Sequence, residues 1–168
     1  MNPVRAYDYL MRARDHLFDW VRPLSQEQYT REFPFGLRTL RSTLLDIATG
    51  EWVWERRLLA EPIPPFSEWP FSEDRRPTFA ALETAWRALA EQTSQTFRSI
   101  TDWNRVIEFR TTEFGKEVHV FPTAGDIALN LCFHEVHHRA QAMAMLRLLG
   151  IPAQNLDYRF LMYPETKS

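Results

Sequence analysis

The spacing of apolar residues near the C-terminus constrains the fold most. Over residues 127–148, side chains suited to a core recur every three or four positions, which is the period of an α-helix. Thr123 followed by Asp126 resembles a capping box at the start of this segment, and Gly150 and Pro152 mark its end. We therefore predict a long helix. Its expected inward face consists of Ile127, Leu131, His134, His138, Gln141, Met145 and Leu148.

Three earlier segments have the same period. The first covers residues 3–22, where an Asn-Pro pair opens the helix and a proline ends it. The second runs from residue 37 or 38 to 59, and the third covers 78–100. A capping-box pattern at Ser25 and Gln28 predicts a short helical turn between the first two.

Two stretches depart from this period. Residues 106–109 and 118–121 read as short strands, with a turn at 114–116, and predict a β-hairpin before the last helix. The loop at 61–77 is rich in proline and aromatic residues and has no helical period. Its aromatic side chains could line a pocket, although ordinary packing is the simpler prediction. The aromatic residues in question are Phe66, Trp69 and Phe71.

The pattern as a whole predicts an all-α fold, a four-helix bundle with one short hairpin, because amphipathic helices in this number bury their apolar faces against each other. A chain of 168 residues suits a single domain spanning 1–168.

Charge and composition argue against several classes of function. The net charge is -2 and no stretch is strongly basic, so we expect no nucleic-acid partner. No segment has the apolar length of a membrane span, and the charged N-terminus does not resemble a signal peptide. The single cysteine, Cys132, cannot form an intrachain disulfide. These observations favour a cytoplasmic protein.

A candidate metal site lies on the helical segments. His134 and His138 are four residues apart, so both imidazoles project from one helix face and could share an ion. Asp46, within an apolar run of the second helix, could provide a third ligand. The alternatives are a hydrogen-bonded histidine pair and a solvent-exposed aspartate. His137 is a weaker candidate, whereas His16 and His119 are isolated.

Two segments resemble the DinB-like family. Residues 40–58, with Glu51 to Trp54, are similar to its second helix, and residues 134–152 are similar to its fourth. The second match includes a His-x-x-x-His-Arg-x-Gln run and a Leu-Gly-Ile-Pro ending. The order of three helices, a hairpin and a helix also matches, so the resemblance covers essentially the whole chain.

The resemblance implies a four-helix bundle that is often a homodimer. It also implies a divalent metal ion, such as zinc, nickel, iron or manganese, held by one histidine of helix two and two of helix four. His134 and His138 match the latter pair, but the helix-two position is Asp46. Two histidines and a carboxylate bind catalytic metals in other proteins, so this departure is compatible with a site.

For function, the resemblance implies a metal-dependent transferase, or a related enzyme, that activates a low-molecular-weight thiol. Asp46, His134 and His138 would be the ligands, and Gln141 would orient a ligand or the substrate. Arg139 is predicted to be solvated or at an interface. The pattern assigns no catalytic residue.

Two other interpretations stay open at this point. The run from His134 to His138 also fits the His-Glu-x-x-His pattern of zinc hydrolases, in which Glu135 would be the general base. In the other interpretation, Asp46 records the loss of metal, and the protein is a non-catalytic binding or structural module with a degenerate site.

Overall fold

A computed structural model describes residues 2–113 and 115–163. Within these residues, four long α-helices and two short ones account for most of the structure, together with a 3-10 turn at Phe66–Glu68 and a small hairpin before the last long helix. In chain order the elements are α1 (Pro3–Val21), α2 (Gln26–Thr30), α3 (Leu40–Leu58), α4 (Phe79–Ser99), β1 (Phe109–Glu113), β2 (Lys116–Val120), α5 (Ala124–Leu148) and α6 (Tyr158–Met162).

The four long helices form a bundle, which confirms the predicted fold class. α1 packs against α4 and α5, and α3 packs against the same two helices. The core between them is dominated by fully buried aliphatic and aromatic side chains, among them Leu10, Leu44, Trp86 and Phe97. Among the described residues, no helix is both long enough and apolar enough to cross a bilayer.

Local capping explains where the helices begin. Asn2 caps α1, and Thr39 and Thr78 cap α3 and α4, each by accepting a backbone N–H with its side-chain oxygen. The capping box of Thr123 and Asp126 is present at α5. The starts of α1, α4 and α5 agree with the sequence prediction.

The start of α3 differs slightly from the prediction of residue 37 or 38. Gly36 and Arg38 adopt φ values of 57° and 69°, in the left-handed region, which a right-handed helix cannot contain. The helix therefore begins at Leu40.

The hairpin is antiparallel, as predicted, but its first strand was placed too early. β1 starts at Phe109, which pairs with Val120, and the residues before it serve as a connection. Val106 forms only an isolated bridge with Thr123, while the N–H of Ile107 donates to the Pro122 carbonyl. Phe114, in the predicted turn, lies outside the described residues.

The inward face of α5 also differs from the prediction. Leu148 is 60% exposed and His134 is half-buried, whereas Glu135 and Arg139 are buried. The prediction of a solvated or interfacial Arg139 was therefore wrong. α5 is apolar on nearly all sides, so the period alone did not define which face would meet the core.

The aromatic loop mostly packs in the ordinary way. Phe71 belongs to the core, and the indole N–H of Trp69 donates to the Pro64 carbonyl. Phe66 is 71% exposed and contacts Trp69 edge-on. α6, which was not predicted, contacts α1 through a hydrogen bond between Arg5 and Tyr158.

Candidate metal centre

Asp46, His134 and His138 come together where α3 and α5 lie side by side. The two helices run in opposite directions, so Thr43 approaches Met145 while Asp46 faces the histidines. The Nε2 atoms of both histidines are 3.2 Å from Oδ2 of Asp46. The three predicted ligand residues therefore form one cluster, which we call the triad.

The separations between their ligand atoms suit a metal ion. Each residue offers one ligand atom, and these atoms lie within 4.8 Å of one another. Ligand bonds of about 2.0–2.1 Å in a tetrahedral zinc site would place neighbouring ligand atoms about 3.3 Å apart. The observed 3.2 Å from Asp46 to each histidine is close to that spacing. The group could hold a divalent ion.

Gln141 fixes the orientation of the His138 ring through a hydrogen bond to the nitrogen that points away from Asp46. Its Nδ1 lies 3.1 Å from Oε1 of Gln141, and the amide nitrogen of Gln141 lies 3.0 Å from Nε2 of His137. In this amide orientation, Oε1 can only accept, so Nδ1 of His138 carries the proton. Its Nε2 then presents a lone pair to Asp46.

The protonation states also match those of metal ligands. Hydrogen bonding to His134 holds the pKa of Asp46 below its ordinary value. Burial lowers the pKa of His138, so its ring is neutral at neutral pH. A carboxylate oxygen and an imidazole lone pair thus face each other across 3.2 Å, an arrangement that a cation between them would stabilise.

Two glycines make room for this arrangement. A Cβ on Gly50 would lie 2.7 Å from Cε1 of His134, so any larger residue there would displace the ring. A Cβ on Gly36 would lie 2.8 Å from Oε1 of Gln141. The sequence analysis missed both roles, because close approach between helices is not visible in local spacing.

The cluster is open to solvent on one side. The side chain of Asp46 is 42% exposed, that of His134 29% and that of His138 15%. An ion held here would keep a direction free for water or substrate, as catalytic metal sites require.

A family model independently matches the entire chain. The match is to the DinB family and spans residues 1–168. The chain belongs to the DinB family. A comparison with curated protein sequences found no match.

This DinB-family protein also contains a buried network of ion pairs, on the core side of α3 and α5. Nη2 of Arg14 is 2.7 Å from Glu51 and 2.6 Å from Glu135, and Nη1 of Arg139 is 3.2 Å from the other oxygen of Glu135. All four residues are at most 3% exposed. We call these four residues the buried ion chain.

Aromatic residues add hydrogen bonds to the buried ion chain, although Nε and Nη1 of Arg14 have no hydrogen-bond partner among the described residues. The Tyr7 hydroxyl and the Trp86 indole N–H both donate to Glu51, the latter at 2.8 Å. Arg139 donates to the Tyr9 hydroxyl at 2.6 Å. The guanidinium carbon of Arg14 sits 4.4 Å from the centre of the Trp86 ring.

The remaining candidates lie outside the triad. Glu135 is held by two arginines on the inner face of α5, so it is not positioned as the general base of a zinc hydrolase. His137 packs edge-on against the His138 ring, with centroids 4.8 Å apart, and its Nε2 lies 3.0 Å from the amide nitrogen of Gln141. His16 lies against Trp20, and His119 pairs with Glu108 on the hairpin.

Proposed function

We propose that this DinB-family protein binds one divalent metal ion through Asp46, His134 and His138. The observation that carries the proposal is the unfavourable pairing of two hydrogen-bond acceptors, Nε2 of His138 and Oδ2 of Asp46. Gln141 directs the lone pair of His138 at an ionised carboxylate 3.2 Å away. A divalent cation would relieve this repulsion, and Arg14 and Arg139 already pair with glutamates in the buried ion chain.

The test is elemental analysis of protein purified without an affinity tag. We expect about one metal per chain in the wild type. Asp46→Ala and His138→Ala should lose it, whereas the matched control His119→Ala should retain it, because His119 lies on the hairpin and pairs with Glu108. Circular dichroism would verify that all variants fold.

The opposite outcome has a definite meaning. If the wild type contains no metal and does not bind added zinc, nickel, iron or manganese, the proposal is wrong. The non-catalytic module with a degenerate site would then be the better account of Asp46.

We further propose a metal-dependent thiol transferase or a related enzyme as the activity. The ion would supply a Lewis acid that favours the thiolate form of a bound thiol. The thiol sulfur would form a bond to an electrophilic carbon as the bond to the leaving group breaks, and the thiol proton would depart with that group.

The chain's own residues set the conditions for this chemistry. Asp46 brings a negative charge where the family pattern has a neutral histidine, so an ion of charge +2 leaves a net +1. A thiol should therefore be acidified less than at a three-histidine site. Gln141 keeps the His138 ring from turning away, and the exposed side of Asp46 admits the thiol.

Cobalt substitution tests the thiol step separately. Adding cysteine to the cobalt protein should change its visible absorption, while serine, which has a hydroxyl in place of the thiol, should not. If no thiol alters the spectrum of a protein that does hold cobalt, the transferase proposal fails and metal binding alone stands.

We also propose that two copies associate through the outer face of α5. Phe133 is 65% exposed, Val136 41% and Leu148 60%, and their spacing places them on one side of that helix. Sedimentation analysis should give a dimer that Phe133→Asp dissociates. A monomeric wild type at high micromolar concentration would contradict this proposal.

A further inference from the structure

A groove continues the seam between α3 and α5 beyond the triad, toward the hairpin. It encloses about 430 Å³, within the range of small-molecule sites. Residues from α3, the hairpin and α5 line it. Its aromatic, aliphatic and amide lining comes from Trp54, Phe109, Phe121, Ile127 and Asn130.

Helix geometry connects this groove to the triad. Trp54 lies one turn beyond Gly50 on α3, and Asn130 lies one turn before His134 on α5. One turn advances about 5.4 Å along a helix, and residues four apart share a face. Because the His134 ring lies directly against Gly50, a ligand that fills the groove has one end close to the triad.

Aromatic and aliphatic side chains form the walls of the groove. The rings of Trp54 and Phe109 meet edge to face, with centroids 6.2 Å apart. Ile127 is buried and lies at the floor, whereas Phe121 is 58% exposed and lies at the rim. Since aromatic rings gain from stacking and edge-on contact with one another, these walls favour a flat aromatic body over a saturated one of equal size.

The charged side chains that line the groove already have partners within the protein. The guanidinium of Arg57 stacks over the Trp54 ring, 4.4 Å from its centre, and its Nη2 donates to the Thr111 hydroxyl at 3.4 Å. Oδ2 of Asp126 accepts from the backbone N–H and the hydroxyl of Thr123 in the capping box of α5. A charged ligand would lose its hydration among these walls without a dedicated counter-charge, so we expect the occupant to be uncharged.

A polar group lies at the end of the groove nearer the triad. Asn130 is exposed there, and its side-chain amide can both donate and accept a hydrogen bond. A ligand whose aromatic body fills the groove can direct a hydroxyl or carbonyl group at this amide, one helical turn from His134. Asn130 therefore determines which end of the ligand faces the triad.

We propose that this groove binds an uncharged, flat aromatic compound that carries a hydroxyl or carbonyl group. The ring system lies against Trp54, Phe121 and Ile127, and the polar group meets Asn130. Assigning this compound as the electrophilic co-substrate of the thiol rests on the proposed function, whereas binding itself requires no metal.

The first test compares two uncharged ligands of equal heavy-atom count. 2-Naphthol is flat and aromatic, whereas decahydro-2-naphthol has puckered, saturated rings and is the more hydrophobic of the two. Titrated into metal-free protein, 2-naphthol should shift the NMR signals of the Trp54 indole N–H and the Asn130 side-chain amide. It should bind about 3- to 10-fold more tightly than the saturated compound. 2-Naphthoate, which carries a full charge, should bind about tenfold more weakly than 2-naphthol.

Two tryptophans of α3 provide a matched pair of variants. Trp54→Leu should weaken 2-naphthol binding about 3- to 10-fold and abolish the preference over the saturated compound. Trp52→Leu should leave both affinities unchanged, because residues two apart face different sides of a helix and the Trp52 ring packs on Trp69, with centroids 5.7 Å apart.

Two exposed residues extend the comparison without touching the core. Phe121→Ala should weaken 2-naphthol, whereas Phe66→Ala, which removes an equally exposed ring outside the groove, should not. Asn130→Ala should weaken 2-naphthol about 3- to 10-fold, the usual worth of a neutral hydrogen bond. Circular dichroism would verify that each variant folds.

Three results would overturn the proposal: no saturable binding up to the solubility of 2-naphthol, equal or tighter binding of the saturated or the anionic compound, or equal losses in the Trp52 and Trp54 variants. Asp46→Ala separates these failures from that of the metal site. It should lose metal but bind 2-naphthol as the wild type does, so each proposal can fail while the other stands.

Paramagnetic cobalt tests the assignment as co-substrate. In wild-type protein loaded with cobalt, the ion should broaden the NMR signals of bound 2-naphthol, and Asp46→Ala treated in the same way should not. If 2-naphthol binds to a protein that holds cobalt and its signals stay sharp, the groove does not present its ligand to the triad and the co-substrate assignment is wrong.

Discussion

Two polar clusters use consecutive residues of the same two helices and differ in almost every physical respect. On α3, Gly50 makes room for the triad of Asp46, His134 and His138, while Glu51 belongs to the buried ion chain. On α5, His134 contacts Asp46 while the next residue, Glu135, pairs with Arg14. One cluster faces solvent and the other faces the core.

The difference lies in how each cluster balances its charge. The buried ion chain contains two arginines and two glutamates, so its formal charges cancel within the protein. The triad has one carboxylate, and the Nε2 atom of a neutral His138 imidazole faces that carboxylate at 3.2 Å. A self-balanced buried cluster fixes the helices, whereas an exposed cluster lacking a cation is suited to binding one.

The largest expected effect comes from breaking the buried ion chain at its centre. Arg14→Met would leave Glu51 without its cation, close to Glu135, which would keep only its pairing with Arg139. We expect a loss of about 3–5 kcal/mol in the free energy of unfolding, measured with urea at neutral pH.

Arg12→Met is the control for that experiment. Arg12 is an exposed arginine of the same helix, and its contact among the described residues is a hydrogen bond to the Leu161 carbonyl, so its loss should cost less than about 1 kcal/mol. Equal stability of the two variants would show that the buried ion chain does not hold the bundle together.

In contrast to the buried ion chain, the triad should contribute little to stability on its own and should stabilise the protein only when it binds metal. Without metal, Asp46→Ala should change the free energy of unfolding by less than about 1 kcal/mol, because Asp46 is 42% exposed. With metal at 100 times its dissociation constant, the wild type should gain about 2.7 kcal/mol, and the variant should gain much less. Thermal melts without metal measure the effect of the substitution, and melts with metal measure the stabilisation by the ion. Asp74→Ala is the control, because Asp74 is an exposed aspartate.

The sequence predicted one cluster far better than the other. His134 and His138 are related by local helix spacing, and the resemblance to DinB-like proteins directed attention to Asp46. The helix ends were also accessible, because a cap such as Thr123 with Asp126 acts over three residues.

The buried ion chain was invisible for a physical reason. Arg14 and Glu135 are 121 residues apart, and neither belongs to a short pattern. In the sequence, Glu135 read as a polar residue or as a hydrolase base, and Arg139 as a surface residue. Only the packing of α1 against α5 shows that each charge has a buried partner.

A smaller effect is expected where the two clusters adjoin. Gly50→Ala would place a methyl group 2.7 Å from the His134 ring and displace it from Asp46. Metal affinity should fall about 10- to 100-fold, as for other changes that reorient a ligand. Stability should change by no more than about 1 kcal/mol, because alanine favours the helix while the half-buried ring moves aside. Isothermal titration and urea denaturation measure these separately; an unchanged affinity would mean that the ring position does not matter.

The smallest expected effect comes from comparing a buried carboxylate that pairs with an arginine, Glu51, with one that accepts a hydrogen bond from a threonine, Glu55. Glu55 lies one turn after Glu51 and accepts a hydrogen bond from Thr96 at 2.9 Å, and burial raises its pKa above the ordinary value of 4.5. The stability that Glu55 contributes is therefore fully present below about pH 4.5 and is lost as pH rises through the folded-state pKa. Glu55→Gln keeps the side chain neutral at every pH. Its free energy of unfolding should therefore rise relative to that of the wild type as pH increases through the pKa of Glu55, by no more than about 1 kcal/mol.

Glu51→Gln, by contrast, removes a charge that Arg14 requires and should destabilise the protein at neutral pH. Urea denaturation from pH 4 to 7 gives both results, and the same sign for the two variants would mean that pairing with arginine does not govern the stability of these carboxylates.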